Sequence, residues 1–177
     1  FYSEKRPNTA SIVYDLNHYN WNDNEWMKYR ASYNSFDRPT SIYEVHLGSW
    51  RRNNGEFMKF NEIAPQLIQY MHEQGFTHVE FLPIYEHPLD DSWGYMGTGY
   101  YSVSSRFGVP KDFMYLVDEM HKHGFGVIMD WVPGHICKDS HGLYNFDGTY
   151  LYDYNKEEDR ENKKNCTQSF LFAICAS

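Results

Sequence analysis

Apolar positions in this chain fall into three short runs separated by two longer periodic stretches. The first run, Ile42 to Trp50 (IYEVHLGSW), alternates: Tyr43, Val45 and Leu47 point one way, Glu44 and His46 the other, the two-residue period of a strand. Asn53-Asn54-Gly55 then marks a turn. From Asn61, an N-cap residue type, to about Gln74 the spacing becomes helical, with Ile63, Leu67, Tyr70 and Met71 on one face and Pro65 tolerated in the first turn. Gly75 is placed to end that helix. His78 to Pro83 (HVEFLP) is the second strand, and a long Gly- and Tyr-rich loop runs from Ile84 to about Val109. Pro110 and Lys111 open a second helix with Phe113, Leu116, Val117 and Met120 inward. His121, Lys122 and His123 fall in its last turn, where they suit the helix dipole, and Gly124 closes it. The third run, Val127-Ile128-Met129, is too short for a helix and reads as a buried strand of a parallel sheet. It ends near Pro133, which cannot donate to a ladder.

The order helix, Gly-Phe, strand, Pro occurs twice, from Gly75 to Pro83 and from Gly124 to Pro133. Strands alternating with helices predict a parallel sheet joined by right-handed crossovers. Long loops after the strands favour a (β/α) barrel over a doubly wound sheet. No glycine-rich phosphate-binding motif follows any strand, which argues against a nucleotide site. Asp130 and His135 therefore leave a buried strand at the edge where such folds bind ligands. Residues 1–39 are polar, rich in Asn and Tyr and weakly periodic, and read as an extended lead-in. After His135 the chain becomes loop-like, through Gly142, Asn145, Asp147-Gly148 and the polar run Lys156 to Asn165. The final SFLFAICAS, Ser169 to Ser177, does not continue the preceding pattern.

Composition narrows the chemistry. The 177 residues carry a net charge of −8 with Lys and Arg scattered among acids, which argues against a nucleic-acid partner. No apolar run reaches the roughly 18 residues of a membrane span, and no charged-then-apolar leader is visible. Cys137, Cys166 and Cys175 form neither a disulfide framework nor a zinc spacing, so a reducing compartment is the default. Of the nine histidines, His46, His78, His87 and His135 lie on separate segments and the His121/His123 spacing puts that pair on different helix faces, so no metal site is expected. Aromatic content is high, 19% with 16 Tyr and 5 Trp, which serves core packing and also offers flat faces for sugars.

Five motifs, in this order, carry a family resemblance: YEVHLGSW (Tyr43 to Trp50), GFTHVEFLPIYEHP (Gly75 to Pro88), SWGYMGTGYY (Ser92 to Tyr101), SRFG (Ser105 to Gly108) and DWVPGH (Asp130 to His135). Over roughly Arg6 to Asp153 the chain resembles the 1,4-α-glucan (glycogen) branching enzymes of the α-amylase superfamily. The resemblance implies an incomplete (β/α)8 TIM barrel, about the first three βα units. It divides the chain into a lead-in over 1–39 from an absent N-terminal β-sandwich, a partial catalytic barrel over 40–165, and an atypical tail over 166–177. A complete barrel of this kind needs about 250 residues. It implies a retaining glycosyltransferase that cleaves α-1,4 glucan and passes the chain to a 6-hydroxyl, in the cytoplasm, as a monomer when intact and without a cofactor.

By motif match Asp130 supports the surroundings of the nucleophile, Tyr95 offers a stacking face with Trp93 as helper, and His135 donates to a sugar hydroxyl. On residue type alone each has an ordinary alternative: Asp130 a turn cap, His135 a bonded loop histidine, Tyr95 one packing tyrosine among 16. His46, His87 and Asp90 near the same rim read as structural. Gly134 stands where many amylases place a calcium-serving Asn, which favours a calcium-free branching enzyme. Nothing here matches the family's nucleophile or acid/base strands, so the chain alone is expected to be inactive. The alternatives are an amylase-superfamily hydrolase, debranching or trehalose-releasing, and a non-catalytic glucan-binding fragment.

Overall fold

The computed structural model describes residues 2–32, 36–132 and 136–164. Its elements run β1 (Tyr2–Ser3), β2 (Ser11–Ile12), α1 (Asn24–Ser32), β3 (Ile42–Val45), α2 (Leu47–Trp50), β4 (Arg52–Asn53), β5 (Glu56–Phe57) and α3 (Phe60–Gln74). They continue with β6 (His78–Phe81), β7 (Tyr85–Glu86), a 3-10 turn (Asp90–Ser92), β8 (Gly99–Val103), α4 (Pro110–Lys122), β9 (Gly126–Met129) and α5 (Glu157–Lys164). The central sheet is parallel in the order β3-β6-β9, with Val45, Phe81 and Met129 level across it. Helices α3 and α4 make the two crossovers and share one core with a single sheet face.

That core follows from the two periodicities. Phe60, Ile63, Leu67 and Met71 of α3 and Leu116, Val117 and Met120 of α4 are buried against Val79, Phe81 and Val127. Each such side chain contributes about 1.5–3 kcal/mol on leaving water. Across a strand alternate residues face oppositely, so Glu44, His78, Glu80, Gly126, Ile128 and Asp130 share the face away from the helices. Gly126 is required there: a Cβ would lie 2.1 Å from the His78 ring. Among the described residues this sheet has three strands and does not close.

Several boundaries differ from expectation. The first strand stops at Val45, because Leu82 N–H to the Val45 carbonyl (3.0 Å) is the last rung before Pro83, which has no donor. Residues 47–50 then turn into α2. Helix α3 starts at Phe60, not after Asn61; the Lys59 N–H is capped by the Glu62 carboxylate at 2.7 Å. Pro65 therefore sits beyond the first turn and offers no N–H to the Asn61 carbonyl. Gly75 ends α3 in the left-handed region, at φ 74°, and Asn54 and Gly55, both at positive φ, make the β4–β5 turn.

The lead-in is not simply extended. β1 pairs antiparallel with β2 and parallel with β8, and β7 completes a four-stranded sheet within what the sequence predicts to be loop. Helix α1 docks on α4 through polar contacts. Asp118 accepts from Asn22 N–H (2.8 Å) and Tyr19 OH (3.1 Å), and Asp23 holds His121 Nδ1 at 2.7 Å. His121, in the last turn of α4, is buried and stacked on Trp26. The polar run after 156 contains α5, with Glu157, Glu158 and Asp159 in the first turn where the dipole favours them. The tail from 165 onward, including Cys166 and Cys175, lies outside the described residues.

Candidate active site

Asp130 leaves β9 with its N–H bonded to the Phe81 carbonyl at 3.0 Å, so its position is set by the sheet itself. Its side chain is buried, and Oδ2 accepts a 2.7 Å hydrogen bond from the Tyr95 hydroxyl. Oδ1 is buried with no partner among the described residues. Burial first, then the bond to Asp130 and its charge, push the Tyr95 phenol well above its ordinary range, so it stays a donor. Glu80, one step below on the same face, is also raised, by burial first and then by Glu44 and Asp130. The mouth of the sheet is therefore acidic, with one fixed phenol.

The loop carrying Tyr95 is held closely. Trp93 sits at φ 54° and Gly94 at φ 91°, and a Cβ on Gly94 would lie 2.1 Å from the Pro83 carbonyl oxygen at the end of β6. A Cβ on Gly97 would meet the Tyr85 ring at 2.1 Å. Trp93 stacks on His46 (5.6 Å between centroids, 20° between planes) and leaves half of its surface exposed. Tyr95 and Asp130 are thus brought into contact, and Trp93 lies on the same loop two residues away, with one face on the α2 N-cap residue. His135 lies outside the described residues.

Sequence reasoning passed over a neighbouring network. Arg106, 3% exposed, bonds Asp90 through Nε (2.7 Å) and Glu86 and Ser104 through Nη1 (2.9 and 3.3 Å). Glu86 also accepts the Ser105 N–H at 2.7 Å, and Arg6 reaches Asp90 from the lead-in. Asp90 is held below the usual carboxylate range by the two arginines, against burial, the largest influence, which raises it. The signals were the motifs themselves, SRFG holding Arg106 and GFTHVEFLPIYEHP holding Glu86, in a stretch otherwise reading as loop. His87, also buried, points Nδ1 at the Tyr85 carbonyl (2.9 Å), and burial lowers its pKa to about 4, so it is neutral.

These groups can bind and orient a polyhydroxyl ligand: a buried carboxylate that pins the phenol through its one proton, and the exposed aromatic faces of Tyr95 and Trp93. A separate cleft of about 170 Å³ is lined by Tyr100, Tyr152 and Trp131, the residue after Asp130. Cys137 is no nucleophile, since burial raises its thiol to about 11. Among the described residues no three His, Cys, Asp or Glu side chains are grouped to hold a metal.

Comparison with known proteins agrees with this fold. Residues 53–165 match the alpha amylase catalytic domain. The chain is 60% identical over 163 residues to the 1,4-alpha-glucan branching enzyme GlgB of Bacillus caldolyticus, covering 92% of this chain and 24% of that one. It is 56% identical over 162 residues to GlgB of Bacillus subtilis (strain 168), covering 91% and 26%. The chain thus spans about a quarter of the length of the curated relatives it matches. Among solved structures, a Salmonella typhimurium protein described as an alpha amylase aligns with TM-score 0.63 and 28% identity over 78% of this chain and 22% of that one. The trehalose-6-phosphate hydrolase of Bacillus licheniformis aligns with TM-score 0.53 and 26% identity, covering 68% and 23%. With more than half of its length matched to that catalytic domain, and with a parallel βαβαβ unit whose C-terminal edge carries Asp130 and Tyr95, the chain belongs to the alpha-amylase family.

Proposed function

We propose that this chain is part of a 1,4-α-glucan branching enzyme, which cleaves an α-1,4 glucan and transfers the freed chain to a 6-hydroxyl to make an α-1,6 branch. The supporting observation is the 2.7 Å bond from Tyr95 to buried Asp130 at the mouth of the sheet, in a chain 60% identical to a branching enzyme. Asp130 fixes the phenol and lends negative charge to the cleavage subsite rather than attacking. Tyr95, with its hydroxyl tethered, presents its ring to the sugar, Trp93 adds a second face, and His135 donates to a sugar hydroxyl.

The reaction is that of a retaining glycosidase. One carboxylate attacks the anomeric carbon while a second carboxyl, about 5–5.5 Å away, protonates the leaving oxygen. The glycosyl-enzyme is then opened by the acceptor's 6-hydroxyl, whose proton returns to the second carboxylate. Neither of those two groups has a candidate in this chain, so the 177-residue chain alone does not branch glucan. Hydroxyl contacts such as those assigned to His135 tighten in the transition state and supply several kcal/mol. We place the intact protein in the cytoplasm as a monomer acting on glycogen-like glucans; no described helix is long and apolar enough to cross a membrane.

The full-length protein incubated with amylose tests the reading. New α-1,6 linkages without release of reducing sugar support it. Reducing ends without branches identify a hydrolase instead, and branching by the purified 177-residue chain refutes the division of labour proposed here.

A further inference from the structure

Arg106 is 3% exposed, yet none of the roles above uses it. Its guanidinium bridges two carboxylates at different heights in the loop after β6: Glu86 Oε1 at 2.9 Å, just before the excursion, and Asp90 Oδ1 at 2.7 Å, the first residue of the 3-10 turn. From Asp90 a chain of backbone bonds leads to the tyrosine. Trp93 N–H bonds the Asp90 carbonyl at 3.0 Å, and Tyr95 N–H bonds the Ser92 carbonyl at 2.9 Å. Asp90 is therefore the near end of the lever that carries Trp93 and Tyr95. Arg6 secures the other oxygen of Asp90 and the Pro88 carbonyl (3.2 Å) from outside.

Arg106 accepts an unfavourable feature to do this. Its Nη2 is buried with no hydrogen-bond partner among the described residues. A buried donor left unmade is normally removed or satisfied, and strain or imperfect pairing held by the surrounding structure tends to mark functional sites. The rigid fork is what the place demands, since one group must reach two carboxylates at once through Nε and Nη1; the point charge of a lysine does not.

We propose that Arg106 is a positioning residue for sugar binding: by fixing Asp90 against Glu86 it sets the height of the Tyr95 ring, and hence its bond to Asp130. The proposal rests on Tyr95 acting at the sugar subsite. It concerns a group that touches neither sugar nor reacting atoms.

The test uses the full-length protein and whichever α-glucan reaction it performs, so failure of the branching assignment shows in the wild-type products and leaves this comparison intact. Arg106→Lys, Tyr95→Phe and the double variant are compared by kcat and KM, with Tm measured for each. The expected result is a loss of about 10- to 100-fold in kcat/KM for Arg106→Lys, the range that small misplacements produce. In the Tyr95→Phe background the same change costs less than about threefold, as required of residues acting through one contact. Asp90→Asn serves as a second probe that does not disturb the buried guanidinium site's own side chain: the Asp90 side chain is 38% exposed, and the variant shows the same loss and the same non-additivity. Equal losses in the two backgrounds for both probes, or a lowered Tm with kcat and KM unchanged, overturn the proposal.

Discussion

Acidification should remove a defined amount of stability through a single buried imidazole. His87 is 3% exposed, offers its Nδ1–H to the Tyr85 carbonyl, and has its pKa lowered from the ordinary 6.5 to about 4. Burial is the main cause, Arg106 adds to it, and the carbonyl bond opposes both. A depressed imidazole pKa means that the unfolded chain binds a proton the folded one refuses. The associated stability is complete above pH 6.5 and is lost as pH falls from 6.5 toward 4. With each pKa unit worth 1.36 kcal/mol, the loss reaches about 3 kcal/mol by the lower end of that window. Urea unfolding of the full-length protein and of His87→Gln, followed from pH 7 to pH 4, isolates it. The other histidines whose pKa burial lowers, the buried His121 and the half-buried His46 and His78, are present in both proteins. Wild type should lose about 3 kcal/mol more than His87→Gln over the range. A difference that stays flat with pH would refute a neutral, buried His87.

Other expectations follow from single contacts. Tyr95→Phe leaves both oxygens of buried Asp130 without a partner among the described residues; a bond to a charged group is worth about 1.5–3 kcal/mol. Expressed in the transition state, that lowers kcat/KM by about 10- to 100-fold, and an unchanged value would remove Tyr95 from the site. Gly126→Ala drives a methyl to 2.1 Å from the His78 ring and should destabilise by about 1–3 kcal/mol in urea unfolding. Asp118→Ala removes the acceptor of Asn22 and Tyr19 and should speed amide exchange over residues 19–32 by about 10- to 100-fold, while α3 amides keep their protection.

What the sequence made legible was whatever local pattern decides. The period of α3 and α4, the glycines at 75 and 124 and the apolar run before Asp130 each report a local conformation, and the βαβαβ unit follows from them. Asp130 was readable because it follows a strand, and Tyr95 because its motif is shared. Long-range pairing was not readable. β8 finds β1 nearly a hundred residues away, and no alternation in GYYSV (Gly99 to Val103) announces that partner. The same holds for His121, whose partner Asp23 comes from the lead-in. Arg106 hides for a related reason: its meaning lies in carboxylates 16 and 20 positions earlier, and a loop composition conceals both.

The parallel pairing of β1 with β8 changes how the first dozen residues should be regarded. They look like a tether that could be cut. In fact they supply two of the four strands behind the tyrosine loop, and Arg6 grips its base. Trimming the protein at residue 13 would strip an inner strand from its neighbour, bare the backbone donors and acceptors of Gly99–Val103, and free Asp90 on one side. A shortened protein would loosen at the mouth of the parallel sheet before it failed in its core, and a domain boundary drawn where the parallel strands begin would fall on the wrong side of the segment that braces the Tyr95 loop.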